Sequence, residues 1–79
     1  MSHTPHELAE EFPAEVERIS AMRQQNAHFA RLCDEYHRVN RAIHRAETRV
    51  EPLDDAGETA LRRTRMVLKD QITGFLRTA

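Results

Sequence analysis

Two apolar stripes, one on each side of Pro52, constrain this chain more than any other feature. Phe29, Leu32, Tyr36, Val39, Ile43, Ala46 and Val50 are spaced 3, 4, 3, 4, 3, 4, the period that lays a single seam along an α-helix. Beyond the proline, Glu58, Leu61, Arg65, Leu68, Ile72, Phe75 and Ala79 repeat that spacing. Pro52 ends the first helix, because the residue before a proline is pushed out of the helical region, and Leu53-Asp54 makes the turn. A reversal at about residue 54 sets Val50 opposite Glu58, Ala46 opposite Leu61, Ile43 opposite Arg65 and Val39 opposite Leu68. Tyr36 then meets Ile72, Leu32 meets Phe75 and Phe29 meets Ala79, with no layer skipped. The two seams predict an antiparallel helical hairpin with coiled-coil-like packing.

The boundaries follow from capping and proline chemistry. Asp55-Ala56-Gly57-Glu58 reads as a capping box, with Asp55 as the cap and Glu58 reaching back. Thr4-Pro5-His6-Glu7 carries the same signature for a short turn over 5–11. Pro13 inside a helix would cost ~3 kcal/mol, so it is expected in the first turn of a new helix that buries Val16, Ile19 and Met22. The apolar register changes at Asn26: Phe12, Val16 and Ile19 share one heptad, whereas Met22 goes with Phe29 and Tyr36. Either an N-cap or a kink at Asn26 absorbs the mismatch. One continuous helix over 13–50 would run ~57 Å, at 1.5 Å per residue, with nothing long enough to cover it. The expected fold is therefore all-α: an acidic, frayed N-terminus over 1–12, then a single helical domain over 13–79. Its helices span about 13–25, 27–50 and 56–78, a short N-terminal helix followed by the hairpin.

Charge is balanced overall at −1 and segregated locally. Residues 1–17 carry five Glu and no Lys or Arg, and residues 18–50 carry seven Arg against Asp34, Glu35 and Glu47. Residues 51–58 are acidic again, and 59–79 hold five basic residues against Asp70. The longest apolar run is Met66-Val67-Leu68, far short of a membrane span. The first fifteen residues are polar and acidic, unlike a secretory signal, so the expected compartment is the cytoplasm.

Chain size limits the chemistry. A chain of 79 residues has too little material to enclose an enzyme cleft and still keep a core. The two glycines form no phosphate-cradling or dinucleotide loop. The single cysteine excludes an internal disulfide or thiolate cluster. His37 and His44 lie two turns apart on one face, but Asn40 and Arg41 between them complete no ligand set, and Arg41 would repel a cation. Cys33 has His37 one turn away and Arg31 and Arg38 nearby, yet one helix provides no pocket, and free cysteine is commonly a small buried hydrophobe. Asp54 and Asp55 suit a helix start electrostatically, and Glu10 and Glu11 belong to the solvated opening. No catalytic, cofactor-binding or metal-binding residue is expected, and no small-molecule substrate.

Two surfaces are candidates for binding. Arg31, Arg38 and Arg45 fall at one heptad position with Arg41 beside them, an outward ridge flanked by His37 and His44. Asp34–Arg38 and Glu58–Arg62 are the pairs that would partly neutralise the surface. Such a ridge suits an acidic protein surface or nucleic-acid phosphates. The seam claims Phe29, Tyr36 and Phe75, leaving no aromatics for base stacking. On the second long helix Met66, Val67 and Leu76 lie outside the seam; the N-terminal helix packed across the open end of the hairpin would cover some of the apolar residues left over, and a second copy the rest. Arg65 interrupts the seam opposite Ile43: either it extends its methylenes over the core and places its charge in water, or it forms a register-setting polar layer with Glu47 as a candidate partner. These features predict a non-enzymatic protein that works by protein contact, either self-associating (a dimer being simplest) or joining an unidentified protein. Binding to a nucleic-acid backbone is the alternative, and no membrane association is expected.

Phe12-Pro13, Ile19, Asn26-Ala27-His28-Phe29, Leu32, Tyr36-His37, Ile43 and Glu47 together resemble the small bacterial YdcH-like family, as does the run from Leu61 to Ile72. The most specific piece is Leu68-Lys69-Asp70 followed by Ile72 and Leu76, and the likeness spans roughly residues 12–76. That family is described as a domain of unknown function with coiled-coil character. The resemblance implies a short all-helical protein with no catalytic set to carry over. It also makes Arg62, Arg63 and Arg65 a family trait, since relatives often carry basic residues there. Relatives frequently have Pro after the residue equivalent to Asn26, where this chain has Ala27, so cap and kink both stay open.

Overall fold

Proline and asparagine punctuate the first third of the chain as their chemistry requires. The computed structural model describes residues 4–78. A four-residue helix, α1 (Leu8–Glu11), leads to a 3-10 turn over Pro13–Glu15 and then to α2 (Val16–Gln25). Pro13 opens the 3-10 turn, where its missing N–H breaks no hydrogen bond. Asn26 is extended, and its Oδ1 accepts the Phe29 N–H at 3.1 Å, so the break between α2 and the next helix is an N-cap. Two long helices follow, α3 (Ala27–Glu47) and α4 (Asp55–Thr78).

α3 and α4 form the antiparallel hairpin that their seams predict. Phe29 meets Phe75 at one end, with ring centroids 5.4 Å apart and edge-on. At the other end Arg62 reaches Glu47 at 2.9 Å. Phe29, Cys33, Tyr36, Val39 and Ile43 from α3 close on Leu68, Ile72 and Leu76 from α4, and Ile19 joins from α2. Full burial of such side chains is worth about 1.5–3 kcal/mol each, so this stripe supplies most of the drive to fold. Ile19 is buried and Met22 packs beside it, as expected of α2. Val16 is not buried: it stays exposed in a shallow groove beside Leu8 and Ala9, because four-residue α1 is too short to cover it.

The hairpin turn departs from expectation at both ends. α3 stops at Glu47, three residues before Val50, and Val50 is 70% exposed; the outermost Val50–Glu58 layer is therefore lost. The reason is local. Arg49 adopts the left-handed conformation at φ 66°, the Arg49 N–H bonds to the Ala46 carbonyl, and the Val50 N–H bonds to the Arg45 carbonyl. These two bonds are a Schellman closure, which reverses the chain before Pro52 can act. At the start of α4 the cap is Asp54, not Asp55: Asp54 Oδ1 accepts the Gly57 N–H at 2.8 Å. A Cβ at Gly57 would sit 2.9 Å from that same oxygen, so any other residue there would push the cap oxygen aside. Glu58 turns toward Arg62 at 3.8 Å instead of reaching back to the cap.

The closure at Arg49 yields a prediction. The left-handed region costs a residue with a Cβ about 1 kcal/mol and glycine almost nothing. Arg49→Gly should therefore stabilise the protein by up to about 1 kcal/mol in urea titration, whereas Arg49→Val should destabilise it.

Residues 4–12, expected to be frayed, sit against the hairpin. Pro5 and His6 make a turn with His6 at φ 64°, and no side chain caps α1 at Glu7. The Thr4 capping box does not form because His6 leaves the helical region and α1 starts only at Leu8; the carbonyls of Pro5 and His6 accept instead from Asn40 Nδ2 at 2.8 Å and from the Tyr36 hydroxyl at 2.6 Å. Both donors lie on the buried side of α3, where an unmet donor is costly. Glu11 reaches Lys69 on α4 at 3.1 Å, and Lys69 lies over the Phe12 ring at 5.8 Å. The start of the 1–12 segment, including His3, and the Phe29–Ala79 layer lie outside the described residues.

Candidate interaction surface

α4 buries one face against α3 and turns the opposite face to solvent. On that outer face Met66 is 59% and Val67 52% exposed. Leu76, expected beside them, is 6% exposed and belongs to the core. α2 packs back on α3, and its Ile19 shares one buried cluster with Leu76. The apolar patch is thus a Met66–Val67 pair near the middle of α4.

On α3 the arginine ridge stands in solvent but much of its charge is already balanced. Glu35 holds Arg38 through two oxygens at 2.8 and 2.6 Å, and this pairing keeps the Glu35 carboxyl below its usual range. Asp34 does not pair with Arg38: it takes Arg23 of α2 at 2.8 Å, which fastens α2 to α3. Arg45 lies 3.1 Å from Glu51 in the turn, although its Nε makes no hydrogen bond. Arg31 and Arg41 have no ion pair among the described residues. A hollow beside Arg41 and Arg45 is completed by Thr4, His44, Thr48 and Val50.

The remaining candidates fall into structural roles. His37 meets Glu7 at 3.0 Å and is not turned toward Cys33 chemistry. Cys33 is buried, and burial pushes its thiol pKa up, against the opposing pull of Arg23. A raised pKa keeps the group a thiol at neutral pH, the opposite of a nucleophile's requirement. No group of three or more His, Cys, Asp or Glu side chains suited to a metal ion occurs among the described residues. No helix among them is long and apolar enough to cross a membrane.

The polar centre of the fold differs from the predicted one. Arg65 does not reach Glu47, which is occupied by Arg62. Its Nη1 donates to Asn40 Oδ1 at 2.9 Å, and Asn40 is 1% exposed. Asn40 spends its amide on the Pro5 carbonyl, so one buried side chain ties α3, α4 and the N-terminal segment together. Sequence reasoning missed it by placing Asn40 only as a gap between two histidines. The available signal was its position one turn after Tyr36 and beside the layer that Arg65 interrupts.

Tyr36 reports on the same junction. Burial, reinforced by Glu11, pushes its hydroxyl pKa from 10.0 up to about 12. An acid whose folded pKa is raised stabilises the fold fully below its unfolded pKa and loses that contribution as pH rises through the folded value. Stability should therefore fall between about pH 10 and 12, by roughly 2–3 kcal/mol from this group. Urea midpoints measured across that range should show the decline, and Tyr36→Phe should flatten it while lowering stability at neutral pH.

Residues 29–76, more than half of the chain, match the model of a family described as a protein of unknown function (DUF465). The match begins at Phe29, so α1 and α2 lie outside it. Neither a curated protein nor a solved structure matches the chain.

Proposed function

We propose that this chain, which belongs to the DUF465 family, acts by protein–protein contact in the cytoplasm and has no chemistry of its own. The observation that carries this reading is the division of its helices. Their apolar seams are consumed within the hairpin, yet Met66 and Val67 remain exposed on α4, and the ridge cations Arg31 and Arg41 are without an ion pair among the described residues. An exposed apolar pair on one long helix and uncompensated charge on the other each offer a contact surface.

The test is co-purification on the tagged full chain. Reversing Arg38, Arg41 and Arg45 to Glu should abolish recovery of a partner protein, whereas Cys33→Ala should leave it intact. Full retention by the reversed chain, with helical circular dichroism unchanged, overturns the ridge as a contact surface.

The hollow around Arg41, His44 and Arg45 favours a second reading, attachment to a nucleic-acid backbone. That mode requires affinity that falls steeply with salt and ignores base sequence. Fluorescence anisotropy with an RNA and a DNA oligonucleotide at low salt decides it, and an absence of binding to both rejects it.

A further inference from the structure

The outward face of α4 has the same spacing in both directions about the midpoint between Met66 and Val67. Ala56, Thr59, Arg63 and Met66, then Val67, Asp70, Gly74 and Arg77, recur three or four residues apart, opposite the buried Leu68 and Ile72 and the half-buried Leu61 and Arg65. Every residue of this stripe is solvent-exposed. Arg63 and Asp70 have no ion pair among the described residues, and seven residues of helix hold them ~10 Å apart along the axis, too far to pair with each other.

We propose that two copies of the chain associate through this face, α4 against α4 and antiparallel, with the two-fold axis between Met66 and Val67. The inference deepens the contact reading above and rests on it, naming a second copy as the occupant of the α4 face. Charge complementarity selects that occupant. Two-fold symmetry makes every contact occur twice, and centring it on the exposed apolar pair sets Met66 against the partner's Val67. The same operation sets Arg63 against the partner's Asp70, satisfying four charges at once. Thr59 falls opposite the partner's Gly74, small against small, which lets the backbones approach near the ends. A Cβ at Gly74 would meet nothing within 4 Å in the single chain, so the isolated fold does not itself require glycine at this mid-helix position. Arg77 lands beside the partner's Ala56, next to the acidic start of its α4, and the antiparallel helix dipoles reinforce that placement. A parallel pairing would instead align Arg63 with Arg63 and Asp70 with Asp70, which is repulsive.

The experiment is sedimentation equilibrium on the full chain and on two charge variants, Arg63→Asp and Asp70→Arg, with circular dichroism to verify that each remains helical. The wild-type chain should show twice its 9.2 kDa mass. Each variant alone places like charges opposite each other twice, and should self-associate at least about tenfold more weakly. Mixing the two restores both opposite-charge contacts, so a 1:1 heterodimer should form at the wild-type affinity or better. A wild-type chain that is monomeric at every concentration overturns the proposal, as do variants that dimerise alone as well as the wild type. A monomer would leave the co-purification result standing, so failure of this interface and failure of the contact reading are told apart.

Discussion

Phe29→Ala is expected to cost about 4 kcal/mol, the scale of a large aromatic removed from a closed core. Phe29 has no exposed surface and packs edge-on against Phe75 at the point where α2 hands over to α3. Its backbone N–H is the group that Asn26 caps, so the side chain and the helix start are positioned together. A domain of 79 residues has a total stability of roughly 4–12 kcal/mol, and this one truncation removes a large share of it. Urea titration followed by circular dichroism measures the loss. Leu32→Ala, at a half-buried seam position, should cost clearly less, and equal costs at both sites would contradict the packing described.

Asn40→Ala should cost about 3 kcal/mol by a different route. It removes one hydrogen bond to the Pro5 carbonyl and one from Arg65, leaves those partners short of a bond in a part-buried setting, and opens a small void. The effect should be localised. Amide hydrogen exchange should rise across residues 4–12, which lose their attachment to α3, more than across the central turns of α4. Asn40→Asp gives a sharper comparison: its carboxylate still accepts from Arg65 but cannot donate to Pro5. In that variant the N-terminal segment should loosen while the α3–α4 contact persists. Uniform loss of protection over the whole chain would mean that Asn40 supports the core generally and does not fasten the segment.

Nearly the whole hairpin was legible in the sequence because it depends on periodicity. Seven-residue spacing of apolar side chains puts Tyr36, Val39 and Ile43 on one side of α3 whatever else the chain does. Prolines and caps then bound the helices to within three residues. The misses share a cause. Val50 was placed by extending the apolar period to Pro52 and Asp55 by a capping-box pattern, whereas the turn is set by hydrogen bonds among Arg45, Ala46, Arg49 and Val50, and by Asp54 with Gly57. Leu76 looked unpartnered because the two-helix seam does not contain it; in the fold it joins one buried cluster with Ile19 of α2, Phe29 and Cys33.

Charged residues were the least legible. Asp34 and Arg38 are four apart on one helix and look like a pair, but Arg23 arrives from α2 and takes Asp34, and Glu35 takes Arg38 with better geometry. Arg62 likewise reaches Glu47 across the hairpin, so Arg65 turns to Asn40. Long charged side chains have many partners within reach and gain little from any one of them on a surface, so sequence spacing alone does not choose among them.

By itself the sequence determined that the chain is helical, that it reverses in the stretch between the two seams, and most of the stripe that each long helix buries, because those follow from local backbone geometry and apolar period. Tertiary structure alone decided that Asn40, Arg65 and Tyr36 form a polar junction with the N-terminal segment, since that junction joins groups some thirty residues apart in the chain. A buried donor takes whichever acceptor the fold brings to it, and no local pattern records which one that will be.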